Sequence, residues 1–203
     1  MDCKTVLRNL LLIFFAIVTL SWTSLGQNKP FWQPNEILLI SGFGHGTSSY
    51  NLPEGTYRPV YFIVHLSTKL WDGEKHVGSE KLKMLLYIEP QFNPVLITQE
   101  KNVKQEFETG LNIGVKHVFA LTKFFQPFIH MGFGPHYFSA ETVKQTKGFL
   151  FSDNLGCGIS LLPTSHLTFQ LGFRLRHLSN ANTRWPNHGI NTYNYHVGVG
   201  WVF

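Results

Sequence analysis

In Tyr193-Asn194-Tyr195-His196-Val197-Gly198-Val199-Gly200-Trp201-Val202-Phe203 every odd position is large and apolar, and the even positions carry Asn, His, Gly, Gly and Val. A period of two marks a strand whose faces meet different surroundings. The pattern recurs upstream. From His166 to Arg176 one face is Leu167, Phe169, Leu171, Phe173 and Leu175, and the other is Thr168, Gln170, Gly172, Arg174 and Arg176. From Phe107 to Lys116, Phe107, Leu111, Ile113 and Val115 oppose Glu108, Gly110, Asn112, Gly114 and Lys116. From Gln126 to Tyr137, Ile129, Met131, Phe133 and Tyr137 oppose His130, Gly132, Gly134 and His136. Phe149 to Leu161 alternates less cleanly, with Asp153 on the apolar side.

Eight strands are expected, beginning near Asn35, Tyr57, Lys81, Lys104, Phe125, Gly148, His166 and Asn191; the first three alternate poorly, which leaves their registers open. Turns are expected at Asn51-Leu52-Pro53-Glu54-Gly55, Trp71-Asp72-Gly73-Glu74 and Pro186-Asn187-His188-Gly189. A soluble sandwich would turn the apolar face inward, whereas a transmembrane barrel turns it toward lipid. Three features favour the barrel. The strands run about 10 to 13 residues, matching a tilted membrane-crossing strand and exceeding the usual strand of soluble sheets. Glu108, Lys116, Arg174 and Arg176 share the glycine-bearing face, where they can pair inside a narrow, crowded lumen. The chain ends on Phe203, and a terminal aromatic resembles the assembly signal of bacterial outer-membrane barrels. The fold class is therefore all-β: an eight-stranded antiparallel outer-membrane barrel, an even strand number being what closure of this type requires.

The first residues stand apart. Lys4 and Arg8 precede an apolar run from Leu10 to Leu20, and Ser24-Leu25-Gly26 ends the segment on small residues. This is the plan of a secretory signal peptide over residues 1–26, leaving 27–203 as one barrel domain. The alternative, an uncleaved anchor, is disfavoured because the run falls short of the roughly 20 residues of a span. Cleavage would remove Cys3 and leave Cys157 without an intramolecular disulfide partner.

Composition adds to this picture. Charged residues make up only 14% of the chain and aromatic residues 15%, against a usual quarter charged. With no long apolar run beyond the leader, a chain this apolar needs alternating strands. The net charge of +5 at pH 7 suits an anionic surface such as phosphorylated lipid. No phosphate-cradling glycine loop or nucleic-acid patch is visible. His45, His65, His130, His136 and His196 lack ligand-like spacing, so no metal site is called for.

Continuing the seventh strand past Leu175 places His177 and Ser179 on its apolar, outward series, and the eighth strand's outward series opens with Asn191. Polar side chains facing hydrocarbon are costly unless partnered or used. Residues i and i+2 of a strand share a face, so the imidazole can reach the serine hydroxyl and act as the base that makes it nucleophilic. The histidine needs an orienter, and the short loop returns Asn191 beside the pair. Asn180, Asn187 and nearby backbone N–H groups are candidate oxyanion donors. A substrate approaching this face lies in the membrane, so the chemistry indicated is hydrolysis of a lipid ester. The bland alternatives are an interfacial histidine, turn-forming asparagines and, for Arg174 and Arg176, ion partners in the lumen.

His177-Leu178-Ser179-Asn180-Ala181 followed by Pro186-Asn187-His188-Gly189-Ile190 resembles the signature of the outer-membrane lipid A 3-O-deacylases, the PagL family. That signature is His-x-Ser-Asn-Ala, a short polar spacer, then Pro-Asn-x-Gly-Ile-Glu opening the last strand. The resemblance covers the last two strands and implies removal of the ester-linked acyl chain at position 3 of lipid A by a Ser-His-Glu triad on the lipid-facing exterior. It makes Ser179 the nucleophile, His177 the base, and Asn180 and Asn187 neighbours of the oxyanion site. It implies no cofactor, lipopolysaccharide in the membrane as the partner, and residence in the bacterial outer membrane; a homodimer stays open.

The departure is at the third member. Asn191 stands where the family carries Glu, and no Asp or Glu occurs from Asn154 to Phe203. An Asn carbonyl can accept the imidazole N–H but cannot stabilise imidazolium by charge. In a serine protease triad, Asp→Asn lowers turnover about ten-thousandfold. Either activity is slower or more pH-sensitive than with Glu, or a more distant carboxylate such as Glu141 or Asp153 approaches. Two other functions stay open: a structural or binding barrel that kept the motif without turnover, and a phospholipase or acyltransferase working on another lipid.

Overall fold

The computed structural model describes residues 34–46, 56–73, 81–99, 102–142 and 144–203. The leader expected over 1–26, the turn at Asn51-Leu52-Pro53-Glu54-Gly55, and Glu74 of the second turn lie outside the described residues. Residues from Pro34 onward form a closed barrel of eight antiparallel strands in chain order, with β1 pairing with β8 to close it. They are β1 (Glu36–Gly46), β2 (Thr56–Asp72), β3 (Lys81–Gln99), β4 (Asn102–Ala120), β5 (Phe125–Phe138), β6 (Gly148–Leu161), β7 (Leu167–Ser179) and β8 (Ile190–Val202). Every expected strand is present within about two residues of its expected start. No described helix is long and apolar enough to cross a membrane, which is no constraint on a barrel.

The expected strand length needs correction: β2 has 17 residues, and β3 and β4 have 19 each. β3 continues past Pro90 and Pro94, which sit on its outer series between Ile88, Phe92 and Leu96. It pairs with β4 without interruption from Lys81↔Ala120 to Gln99↔Asn102. The poor alternation of the first three strands also has a cause. Their inward residues are themselves partly apolar: Leu38, Ile40, Tyr61 and Ile63 form one buried cluster inside the barrel.

The outward faces of β5, β7 and β8 expose Ile129, Met131, Phe133, Leu171, Leu175, Tyr193, Tyr195 and Val197. The lumen is filled. Arg174 makes a two-pronged contact to Glu89, with Nη1 to Oε2 at 2.9 Å and Nη2 to Oε1 at 3.0 Å. Lys116 Nζ donates to both Glu36 oxygens at 3.1 and 3.0 Å. Arg176 pairs with Glu108, which also accepts from Tyr57 Oη at 2.7 Å and Asn93 Nδ2 at 2.8 Å. The expected lumenal charges are thus inside, and two of their partners, Glu36 and Glu89, come from β1 and β3. Tyr87 lies across the lumen against Gly114 and Gly132, at positions a Cβ would obstruct.

The two ends differ. One carries the connections 121–124 and 162–166 together with Phe203; the other carries the connection 180–189 and the segments 139–142 and 144–147. Beneath the second end Tyr57, Val95, Ile97, Phe138, Leu150, Leu178 and Ile190 form an apolar plug inside the barrel. Leu178 and Ile190 alternate with His177, Ser179 and Asn191, so this plug anchors the strand ends that carry the motif.

Candidate active site

His177 and Asn191 are directly opposed in the β7–β8 ladder. His177 Nδ1 donates to Asn191 Oδ1 at 2.6 Å. An amide oxygen only accepts, so Nδ1 carries the proton and the Nε2 lone pair is left for the substrate side. Asn191 thus holds the His177 ring in this orientation. Ser179 follows two residues after His177 on the same outer series, about 7 Å along the strand, and both side chains are half-buried. No hydrogen bond joins Ser179 Oγ to the imidazole. Such contacts commonly tighten only as the substrate is engaged.

Asn180 and Asn187 have been placed differently from each other. Asn180 is buried, and its amide nitrogen donates to Thr146 Oγ1 at 3.1 Å and to the Arg184 carbonyl at 2.7 Å. Its side-chain donors are thus committed to holding the loop. Asn187 is half-buried; its Oδ1 accepts the Asn180 backbone N–H at 2.8 Å, and its Nδ2 makes no hydrogen bond within the protein. Asn187 is thus the one of the two whose side chain has a donor to offer. The chain after Asn180 turns through Ala181 and Asn182, both in the left-handed region at φ 50° and 65°, and Thr183 N–H returns to the Asn180 carbonyl at 3.1 Å.

The 139–147 connection braces this loop. Thr146 N–H donates to the Pro186 carbonyl at 3.1 Å and His188 N–H to the Lys144 carbonyl at 2.9 Å, with a bridge between Gln145 and Asn187. Sequence reading reached neither Thr146 nor Arg184 as parts of the site, because their roles rest on contacts between loops distant in the chain. Gly189 was legible only as a turn residue. It has φ +73°, and a Cβ there would stand 2.5 Å from His177 Cε1 and 3.1 Å from Nε2. Glycine both adopts this backbone and leaves room for the imidazole.

Beside His177 and Asn191, a groove of about 730 Å³ runs over the outer face of β4 to β8. Met131, Phe133, Leu155, Leu175 and Tyr193 supply its apolar walls, and Asp153, His177 and Asn191 its polar head. A mostly apolar groove with a few converging polar groups is the ordinary form of a small-ligand site. Of the two distant carboxylates, Glu141 is far out on the 139–147 connection, 3.9 Å from Lys147 with both side chains exposed. Asp153 lies directly opposite His177 in the β6–β7 ladder. His188 is exposed in the loop, with its ring 4.9 Å from that of Trp185. His65, His130, His136 and His196 are buried in the lumen, and no group of three or more metal-ligating side chains occurs among the described residues.

A family model described as "Lipid A 3-O-deacylase (PagL)" matches residues 19–200. Among solved structures, the outer membrane enzyme PagL superposes with a TM-score of 0.53 at 18% identity, covering 80% of this chain and 97% of that one. Neisserial surface protein A gives a TM-score of 0.50 at 10% identity, covering 83% of this chain and 96% of that one. At these identities the two structures speak to the fold. No curated protein sequence matches the chain.

Proposed function

Since the chain belongs to the lipid A 3-O-deacylase (PagL) family, we propose that it hydrolyses the ester-linked acyl chain at position 3 of lipid A with Ser179 as nucleophile and His177 as base. It is an integral barrel of the outer membrane, and its substrate lies in the same membrane as the groove. The observation that carries the mechanism is the 2.6 Å bond from His177 Nδ1 to Asn191 Oδ1. It fixes the tautomer that leaves Nε2 basic, on a ring that lines an apolar groove and lies two residues from the Ser179 hydroxyl.

The reaction runs in two halves. Ser179 Oγ attacks the ester carbonyl carbon as its proton passes to His177 Nε2. The carbonyl π electrons move onto oxygen, where Asn187 Nδ2 and backbone N–H groups stabilise the charge. The carbon–oxygen bond to the sugar breaks, the Nε2 proton goes to the departing 3-oxygen, and an acyl-Ser179 ester remains. Water then attacks that ester, gives a proton to Nε2, and Ser179 Oγ leaves and takes the proton back. The products are a free fatty acid and a 3-hydroxyl on lipid A. The acyl chain lies along Met131, Phe133 and Leu155 throughout, and the loop locked by Asn180 and Thr146 holds the oxyanion side.

Mass spectrometry of lipid A from cells with and without the protein tests this reading. Wild type should remove one 3-linked acyl chain, and Ser179→Ala should lower the rate by about ten-thousandfold or more while still assembling in the membrane. Unchanged deacylation in Ser179→Ala would refute the assignment. An intact lipid A with wild type present would favour a binding barrel, and loss of an acyl chain from phospholipid instead would favour a phospholipase.

A further inference from the structure

Among the described carboxylate side chains, Asp153 alone has no partner. Glu36, Glu89 and Glu108 are ion-paired in the lumen, Glu106 accepts from Ser139 Oγ at 2.6 Å, and Glu141 lies near Lys147. Asp153 makes no hydrogen bond and no ion pair, and it is exposed on the outer face of β6 between Phe151 and Leu155. A carboxylate at such a position faces lipid, where it is unfavourable unless a cation is at hand. Its directly opposed neighbour on β7 is His177, and both line the same groove. Side chains of directly opposed residues have Cβ atoms about 4.5–5.5 Å apart.

We propose that Asp153 is a positioning residue which supplies, from β6, the negative charge that Asn191 on β8 lacks. The inference rests on the Ser179-His177 reading above. In a single Glu, two tasks coincide: accepting the Nδ1 proton to fix the tautomer, and stabilising the imidazolium. Here they are divided. Asn191 fixes the tautomer through its 2.6 Å contact. Asp153 stabilises the imidazolium that forms when Ser179 gives its proton to Nε2. The field acts through lipid and protein rather than water, so it is weakly screened. Asp153 gains its cation only at that moment, which makes the contact stronger in the transition state than in the ground state. The other charged or titratable groups around His177 are arranged so that none duplicates this. Tyr193 is the next outward residue of β8, and Arg176 is turned inward onto Glu108. Arg184 and His188 belong to the loop above and carry no negative charge.

The test uses the full-length protein in detergent micelles and four variants: Asp153→Asn, Asp153→Glu, Asn191→Glu, and Asn191→Glu with Asp153→Asn. Two rates are measured, deacylation of lipopolysaccharide and covalent labelling of Ser179 by a fluorophosphonate, which reports nucleophile activation without lipid A. Asp153→Asn should lower kcat and the labelling rate by about tenfold to a hundredfold, the size of one weakly screened charge pair, with KM unchanged. Asp153→Glu should restore most of the rate. In the Asn191→Glu background, which is expected to be faster than wild type, Asp153→Asn should cost under about threefold, since the charge is then supplied from β8. Wild-type labelling rates in Asp153→Asn would overturn the proposal. So would an equal loss in both backgrounds, which would mark a structural role, or a wild-type Ser179 that takes no label. If wild type takes the label but leaves lipid A intact, the deacylase reading fails while the labelling rates still decide the role of Asp153.

Discussion

Inside the barrel, the carboxylates of Glu36, Glu89 and Glu108 each hold a cation, from Lys116, Arg174 and Arg176 respectively. On the outside, at positions adjacent in sequence to this network, Asp153 holds none and His177 holds only an amide. Arg176 and His177 are consecutive, and the alternation of β7 sends one to each set. The inner groups are matched within the protein, so their work is to fill and fix the lumen. The outer groups are left unmatched on a lipid-facing surface, where a structural role would be served better by leucine. Unmatched polarity in a costly place is the sign of a partner supplied from elsewhere, which in the proposed reaction is a lipid ester and a transferred proton.

Two substitutions sharpen that contrast. The larger effect on folding should come from the inner set. Glu108→Gln leaves Arg176 buried without its counter-charge, which should cost about 3–5 kcal/mol of stability. Urea unfolding in lipid vesicles would measure it, and the molecules that do fold should deacylate at the wild-type rate. Unfolding at the wild-type midpoint would show that the lumenal pair does not carry this stability. The smaller effect on folding and the larger one on chemistry should come from Gly189→Ala. Its methyl would press on the His177 ring and its backbone would resist φ +73°. Turnover should fall about a hundredfold, as a displacement near 1 Å can do, with a stability loss of about 1–2 kcal/mol. A variant that unfolds early yet turns over normally would remove Gly189 from the site.

The same division explains what was legible in the sequence. β4, β5, β7 and β8 could be read because one face is apolar and the other bears glycine, amides and charges. β1 to β3 could not be registered, because Leu38, Ile40, Tyr61, Ile63, Val95 and Ile97 make their inward faces apolar as well. The positions of His177, Ser179 and Asn191 followed from alternation along two strands joined by a short loop. That Asp153 faces outward was also legible. That it faces His177 was not, since the β6–β7 register is set by pairing and by neither strand alone. That the Asn180 side chain donates to Thr146 and Arg184 was not legible, because these partners belong to a loop packing that no local pattern encodes.

The central claim is that Ser179 forms a covalent ester with the acyl chain at the outer surface of the barrel. A rapidly quenched single turnover of the purified protein with lipopolysaccharide, followed by peptide mass mapping, tests it most directly. The account predicts an added fatty-acyl group on the peptide containing Ser179, formed before free fatty acid appears and missing in Ser179→Ala. Release of fatty acid by Ser179→Ala at the wild-type rate, with no acyl group on that peptide in wild type, would contradict it.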